Sequence, residues 1–150
     1  MKKAITVEAT STIDAPAEEV YAVLADYQVA HPAILPNAFT GITVRKGGQG
    51  AGSDVAVETT VFGQRREYYL VVSEERDSHG VSLIETDQYT GLSTTFRIEP
   101  LNRLASGKSQ VTISSELAVA GFVEEMMMRN FAKRLFKQEL NLLAEYVHLN

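Results

Sequence analysis

Glu139 is the residue whose chemistry its neighbours do not explain. It lies in the run GFVEEMMMRNFAKRLFKQELNLLAEYVHLN, from Gly121 to Asn150. Wound at about 100° per residue, that run places Glu139 near the middle of an apolar side, between Leu135, Phe136, Leu142 and Leu143. A lone carboxylate is costly to bury, so it must be paired, protonated or in reach of water. In one reading it orients a polar ligand group or moves a proton. In the other it is a structural partner for an arginine or tyrosine, or it sits on a helix end that overhangs its support. His31, just before Pro32, and Tyr68, in an alternating segment, complete the acid–base candidates.

Other machinery is missing. The glycines from Gly47 to Gly52 lack the lysine and following helix of a phosphate loop. No G-x-S-x-G occurs, and the three histidines, His31, His79 and His148, fall in separate segments without ligand spacing. Neither a metal site nor a serine–histidine nucleophile is expected. The chain has no cysteine, which excludes disulfides, thiolate catalysis and cysteine-ligated zinc. Among strand and turn residues, Thr59, Tyr68, Tyr89, Thr94, Arg97 and Ser115 can project polar groups inward. Of these, Thr59, Tyr68, Thr94 and Ser115 share a face with apolar neighbours. Such groups line a wet cavity or need partners in a solid core. Phe122, Met126, Met127, Met128 and Phe131 cluster at the start of the last run. Flexible, polarizable methionines suit a site that adapts to apolar ligands, and equally a packed core or a dimer patch.

These residues need elements to hold them. The final run has no proline and should be one helix of about 40 Å. Its wet face carries Asn130, Arg134, Lys137, Gln138, Asn141 and Glu145, and its apolar side is too wide for a coiled-coil seam. Upstream, residues 4–13 alternate as a half-buried strand. Asp14 is expected to cap a helix that Pro16 starts and Val20, Tyr21, Val23, Leu24 and Tyr27 pack. A second short helix or ordered loop covers VAHPAILPNAF. From Phe39 to Leu117 short alternating stretches recur, separated by turns at Gly47–Gly52, Phe62–Gln64, Asp77–Gly80 and Tyr89–Gly91 and by a polar loop from Pro100 to Lys108. This predicts an antiparallel meander of six strands. The fold class is therefore α+β, in the order β-α-α-β6-α, a curved sheet of about seven strands around a long C-terminal helix. Residues 1–150 form one domain.

The bulk numbers exclude several functions. The 150 residues are 45% hydrophobic and 22% charged, with a net charge of -5. The acidic balance and the lack of a basic cluster argue against nucleic acid as a partner. No segment has the apolar length of a membrane span, the start lacks the apolar run of a secretory signal, and the Met-rich neighbourhood is not basic enough for a stable membrane anchor. A cytoplasmic protein, monomer or homodimer, needing no cofactor, is the expectation.

The element order and the local sequences resemble the START/SRPBCC superfamily, the helix-grip or birch-pollen-allergen-like fold. The likeness rests on Ile13-Asp14-Ala15-Pro16-Ala17-Glu18-Glu19-Val20-Tyr21, Leu24-Ala25-Asp26-Tyr27, His31-Pro32-Ala33-Ile34-Leu35-Pro36 and the final amphipathic helix. Leu35-Pro36 is similar to the polyketide cyclase/dehydrase and coenzyme-Q-binding branches, although Asn37 stands where an aromatic residue often follows. The resemblance implies a cavity between helix and sheet for a small hydrophobic or amphipathic ligand such as a lipid, polyketide or quinone. The ligand contacts expected there are Thr59, Tyr68, Tyr89, Thr94, Ser115, Phe122, Met126, Met127 and Phe131. Two alternatives stay open. One is a cyclase/dehydratase-like enzyme using Glu139, His31 and Tyr68, with neither metal nor covalent nucleophile. The other is a protein-interaction module.

Overall fold

A computed structural model describes residues 2–101 and 107–149; the middle of the polar loop expected from Pro100 to Lys108 lies outside them. The elements run β1 (Lys3–Ile13), α1 (Ala17–Ala25), α2 (Ala30–Ala33), β2 (Phe39–Lys46), β3 (Asp54–Val61), β4 (Gln64–Arg76), β5 (Val81–Asp87), β6 (Ser93–Pro100), β7 (Ser109–Val119) and α3 (Phe122–Leu149). All strands pair antiparallel in one sheet of order β1-β7-β6-β5-β4-β3-β2. This is the β-α-α-β6-α helix-grip architecture expected from the sequence.

One cap differs from expectation. Pro16, not Asp14, occupies the N-cap of α1, and no side chain bonds there. The fixed φ of proline suits a helix start without such a bond. Val20 and Leu24 bury the inner stripe of this helix. At its end Asp26 turns extended, and its carboxylate accepts the backbone N–H groups of Gln28, Val29 and Ala30. It thereby stops α1 and satisfies the otherwise orphaned donors at the start of α2.

Period-two alternation sends one set of side chains into the concave face. The register aligns Val72, Glu85, Thr94, Ser115 and Val7 in one row across β4, β5, β6, β7 and β1. The next row is Leu83, Phe96, Ile113 and Ala9, all buried. Each large aliphatic or aromatic side chain removed from water in these rows contributes about 1.5–3 kcal/mol. The first row is unusual because three of its five members are polar.

The helix α3 packs chiefly over β1 and β7. It buries Ala132, Phe136, Glu139, Leu140 and Leu143, a spacing of three to four residues that keeps one face inward. Its flank toward β3 and β4 is bridged by side chains, where the rings of Phe131 and Phe62 meet with centroids 5.2 Å apart. Half-buried Leu70, Met128 and Leu135 pack against the core from this side.

Candidate functional site

The inward polar residues gather in one place. Glu85, on β5, is buried and accepts a hydrogen bond from the Tyr27 hydroxyl at 2.7 Å. The His31 ring stacks on Tyr27 with centroids 4.7 Å apart, and the edge of Phe96 meets it at 5.2 Å. His31 Nδ1 lies 2.6 Å from the carbonyl of Leu24. A carbonyl can only accept, so Nδ1 carries a hydrogen and Nε2 is the nitrogen turned to Glu85, 4.0 Å from Oε2. One strand further, Thr94 stands opposite Glu85, and its hydroxyl bonds that of Ser115 at 2.7 Å.

Glu139 closes the cluster from α3. The residue is only 4% exposed, and its Oε2 has no hydrogen-bond partner among the described residues. Burial, followed by the charge of Glu85, pushes its carboxyl up to about 8. Burial also raises Glu85, with the charge of His31 and the Tyr27 hydrogen bond pulling the other way. Tyr27 is driven well above the ordinary phenol range by burial and then by Glu85. The cluster thus brings together two carboxyl groups from different elements. Glu139 keeps its proton at neutral pH, while Glu85 has a hydrogen-bond donor and an imidazole to support its charge.

The structure separates the residues singled out in the sequence. Glu139 and His31 both face Glu85. Tyr68 does not join them: it is half-buried on β4, opposite Val57 and four residues from Val72, the neighbour of Glu85. That distance is about 13 Å along the strand. Thr59 is buried on the inner face of β3, and Thr94 and Ser115 belong to the polar row. Arg97 takes the outer face, bonding Asp77 at 2.8 Å.

Four expected ligand contacts lie elsewhere. Tyr89 is 80% exposed in its turn, where its ring meets that of Tyr69. Phe122, Met126 and Met127 are exposed as well. They lie on the outward side of the first two turns of α3, which the ion pair of Lys3 with Glu125 and the bond from Arg129 to the Thr6 carbonyl tie to β1 while Met128 packs against the core. Phe131, at the seam, is half-buried against Phe62.

Glu85 and Tyr27 were not among the sequence candidates. The available signal for Glu85 was its phase: Val81, Leu83 and Glu85 alternate onto one face, which puts an acid at a core position. Among the described residues no group of three or more His, Asp or Glu is arranged to hold a metal ion, and no helix is long and apolar enough to cross a membrane. A notch of about 360 Å³ opens between α1 and the β2–β3 loop, lined by residues including Tyr21, Ala25, Gly50 and Glu74. A smaller one of about 230 Å³ lies by Lys3 and Phe122. Neither includes Glu85 or Glu139 in its lining.

With an interior row of polar groups under a gripping helix, the chain can be set beside known proteins. The sequence pattern of the family described as polyketide cyclase / dehydrase and lipid transport matches residues 4–148. The chain belongs to this family. No curated protein matches its sequence significantly. Among solved structures it is similar to the KanY protein (24% identity, TM-score 0.81, covering 97% of this chain and 99% of that one). A START superfamily protein from Mycobacterium smegmatis is also similar (17%, 0.74, 96% and 97%). So is the Zhui aromatase/cyclase from Streptomyces sp. R1128 (16%, 0.65, 97% and 92%). These likenesses carry the fold, and the family carries a role in ligand binding or cyclase chemistry.

Proposed function

We propose that this family member binds a small amphipathic ligand between α3 and the concave face of the sheet. The polar end of the ligand would meet the Glu85–Glu139 cluster, and its apolar part would lie in the wedge toward β3 and β4. The observation that carries the reading is the buried Glu139 Oε2 without a partner among the described residues. A buried polar atom left unmatched costs about 1–3 kcal/mol, which a ligand group would recover. Support for the wedge comes from half-buried Leu70, Met128, Leu135 and Tyr68, and from a flank closed by a contact between two rings. Entry requires the fold to open around the cluster, because Glu85 and Glu139 are closed off from water. Extraction of the purified protein with organic solvent, followed by mass spectrometry, tests this. A recovered amphipathic compound, displaced in parallel with a change in Glu139 titration, supports it. An extract without ligand, together with no binding of alkyl probes, rejects it.

One observation favours a catalytic version. Glu139 is a protonated carboxyl beside a second carboxyl better suited to hold charge, an arrangement that divides general-acid and general-base roles. In a cyclase/dehydratase-like reaction Glu139 would protonate a carbonyl or leaving hydroxyl, and Glu85, supported by His31 and Tyr27, would accept a proton. Tyr68 has no part in this version. Glu139→Gln and Glu85→Gln should each abolish turnover of a poly-β-ketone substrate while leaving the fold unchanged by circular dichroism.

A further inference from the structure

We propose that the polar end of the ligand is an organic ammonium, held between Glu139 and Glu85 in exchange for one proton. The inference rests on the ligand-binding reading above and names the chemistry of the group bound. Its first ground is the charge inventory. Two acids from different elements, α3 and β5, meet inside the protein. No lysine or arginine among the described residues faces them. Arg97 pairs with Asp77, Arg76 with Glu74, Arg129 with Glu125 and Arg65 with Glu58, all outside the cluster. Among the described residues His31 is the only basic side chain at the cluster, and its Nδ1 is already committed to the Leu24 carbonyl. Ionising both carboxyls would therefore leave the cluster without a lysine or arginine among the described residues to match the added charge.

The second ground is the acceptor count. An ammonium brings three N–H donors and no acceptor. The vacant Oε2 of Glu139 offers one acceptor. The carboxylate of Glu85 and the hydroxyl oxygens of the Thr94–Ser115 pair, directly across from it in register, offer the others. Tyr27 and Phe96 add aromatic surface near this point, which favours a cation over an anion. A carboxylate ligand would bring a third acid beside the charge of Glu85, which repulsion disfavours. A neutral alcohol satisfies Glu139 but brings no positive charge to set against Glu85.

The exchange balances simply. At neutral pH an alkylamine arrives as its ammonium ion, Glu139 gives up its proton to the buffer, and the complex keeps the same net charge as the free site. The groups facing Glu139 are Glu85 from β5 and Tyr27 from the segment between α1 and α2, with His31 from α2 set against Glu85. Tyr27 stays neutral throughout.

The test uses the wild-type chain and three probes of equal tail length: decylamine, decanol and decanoate, by isothermal titration calorimetry in buffers of different ionisation enthalpy. Decylamine is expected to bind tightest and release close to one proton at neutral pH. Its affinity should rise about tenfold per pH unit up to about pH 8, while that of decanol stays flat. Glu139→Gln should remove the proton release and weaken decylamine by about tenfold or more, with decanol held within about twofold. Adsorption to the exposed Phe122–Met127 surface would release no proton and survive that substitution, which counts against the proposal. If decanol matches decylamine and no proton is released, the ammonium is overturned while the ligand-binding reading stands. If none of the three probes binds, the ligand-binding reading itself falls.

Discussion

The Tyr27 hydroxyl donates a 2.7 Å hydrogen bond to Oε2 of Glu85, joining the segment between the short helices to the middle of the sheet. Both residues are buried, so this bond helps Glu85 to carry a charge. Burial raises the Glu85 carboxyl, while His31 and then Tyr27 lower it. Tyr27→Phe deletes the donor and leaves the ring. Glu85 should then titrate at a higher pH than in the wild type, and stability should fall by about 1–3 kcal/mol because a buried acceptor loses its partner. Carbon-13 NMR titration of the glutamate carboxyls and urea unfolding measure the two effects. A Glu85 midpoint that stayed in place would show that the phenol does not support its charge.

Glu139 makes stability depend on pH in a direction opposite to that of a salt-bridged acid. Its carboxyl stands at about 8 in the fold against an ordinary value of 4.5. Between those values the folded chain binds the extra proton, so its stability is greatest below the lower value. Stability falls as pH rises to the upper one, by about 1.4 kcal/mol per pH unit at the steepest. Glu85, also raised, adds a slope of the same sign. Glu139→Gln removes its own part of that slope. The variant should gain on the wild type steadily from pH 5 to pH 8 and keep a constant advantage above it, as read from urea midpoints at a series of pH values.

The elements were legible in the sequence because their signals are local. Alternation in Val55, Val57 and Thr59, or three-four spacing through Phe136, Leu140 and Leu143, needs no distant partner to be read. The same periodicity exposed Glu139 as an acid on an apolar face, and the structure keeps it buried. The site was less legible because it is assembled from far apart. Tyr27 and Glu85 are 58 positions from one another, and Thr94 meets Ser115 only through sheet register. Phe122, Met126 and Met127 illustrate a different limit. Their apolar character was plain, but where the helix settles on the sheet is a tertiary matter, and these three side chains face outward.

Phe62 and Phe131 should show a small, measurable coupling. Phe62 and Gly63 form the two-residue connection between β3 and β4, with φ of 51° and 77°. That hairpin geometry favours asparagine or glycine, and a bulky side chain there is strained by about 1 kcal/mol or more. The ring is 60% exposed, so its contact with Phe131 is worth little by burial. A double-mutant cycle with Phe62→Ala and Phe131→Ala should give about 0.5 kcal/mol. Phe62→Asn should be more stable than Phe62→Ala, since asparagine tolerates the left-handed backbone. Equal stability of the two variants would mean that the turn relaxes when the ring is removed.

Gly80 offers a way to lower stability without touching the cluster. A Cβ at this position would stand 2.2 Å from the carbonyl oxygen of Ile98, a backbone atom of the neighbouring strand. Relief therefore requires β5 and β6 to separate where Val81 pairs with Ile98. Gly80→Ala should cost about 1–3 kcal/mol or more, in the manner of an overpacked interior. The Glu85–Thr94 pair lies four residues further along the same ladder, about 13 Å away. A distortion confined to the strand ends leaves the surroundings of Glu139 as they are. In the folded variant its carboxyl should still titrate at about 8, although the urea midpoint has dropped. If the midpoint of Glu139 moved with stability, its titration would report looseness of the whole sheet and not the local pairing of two buried acids.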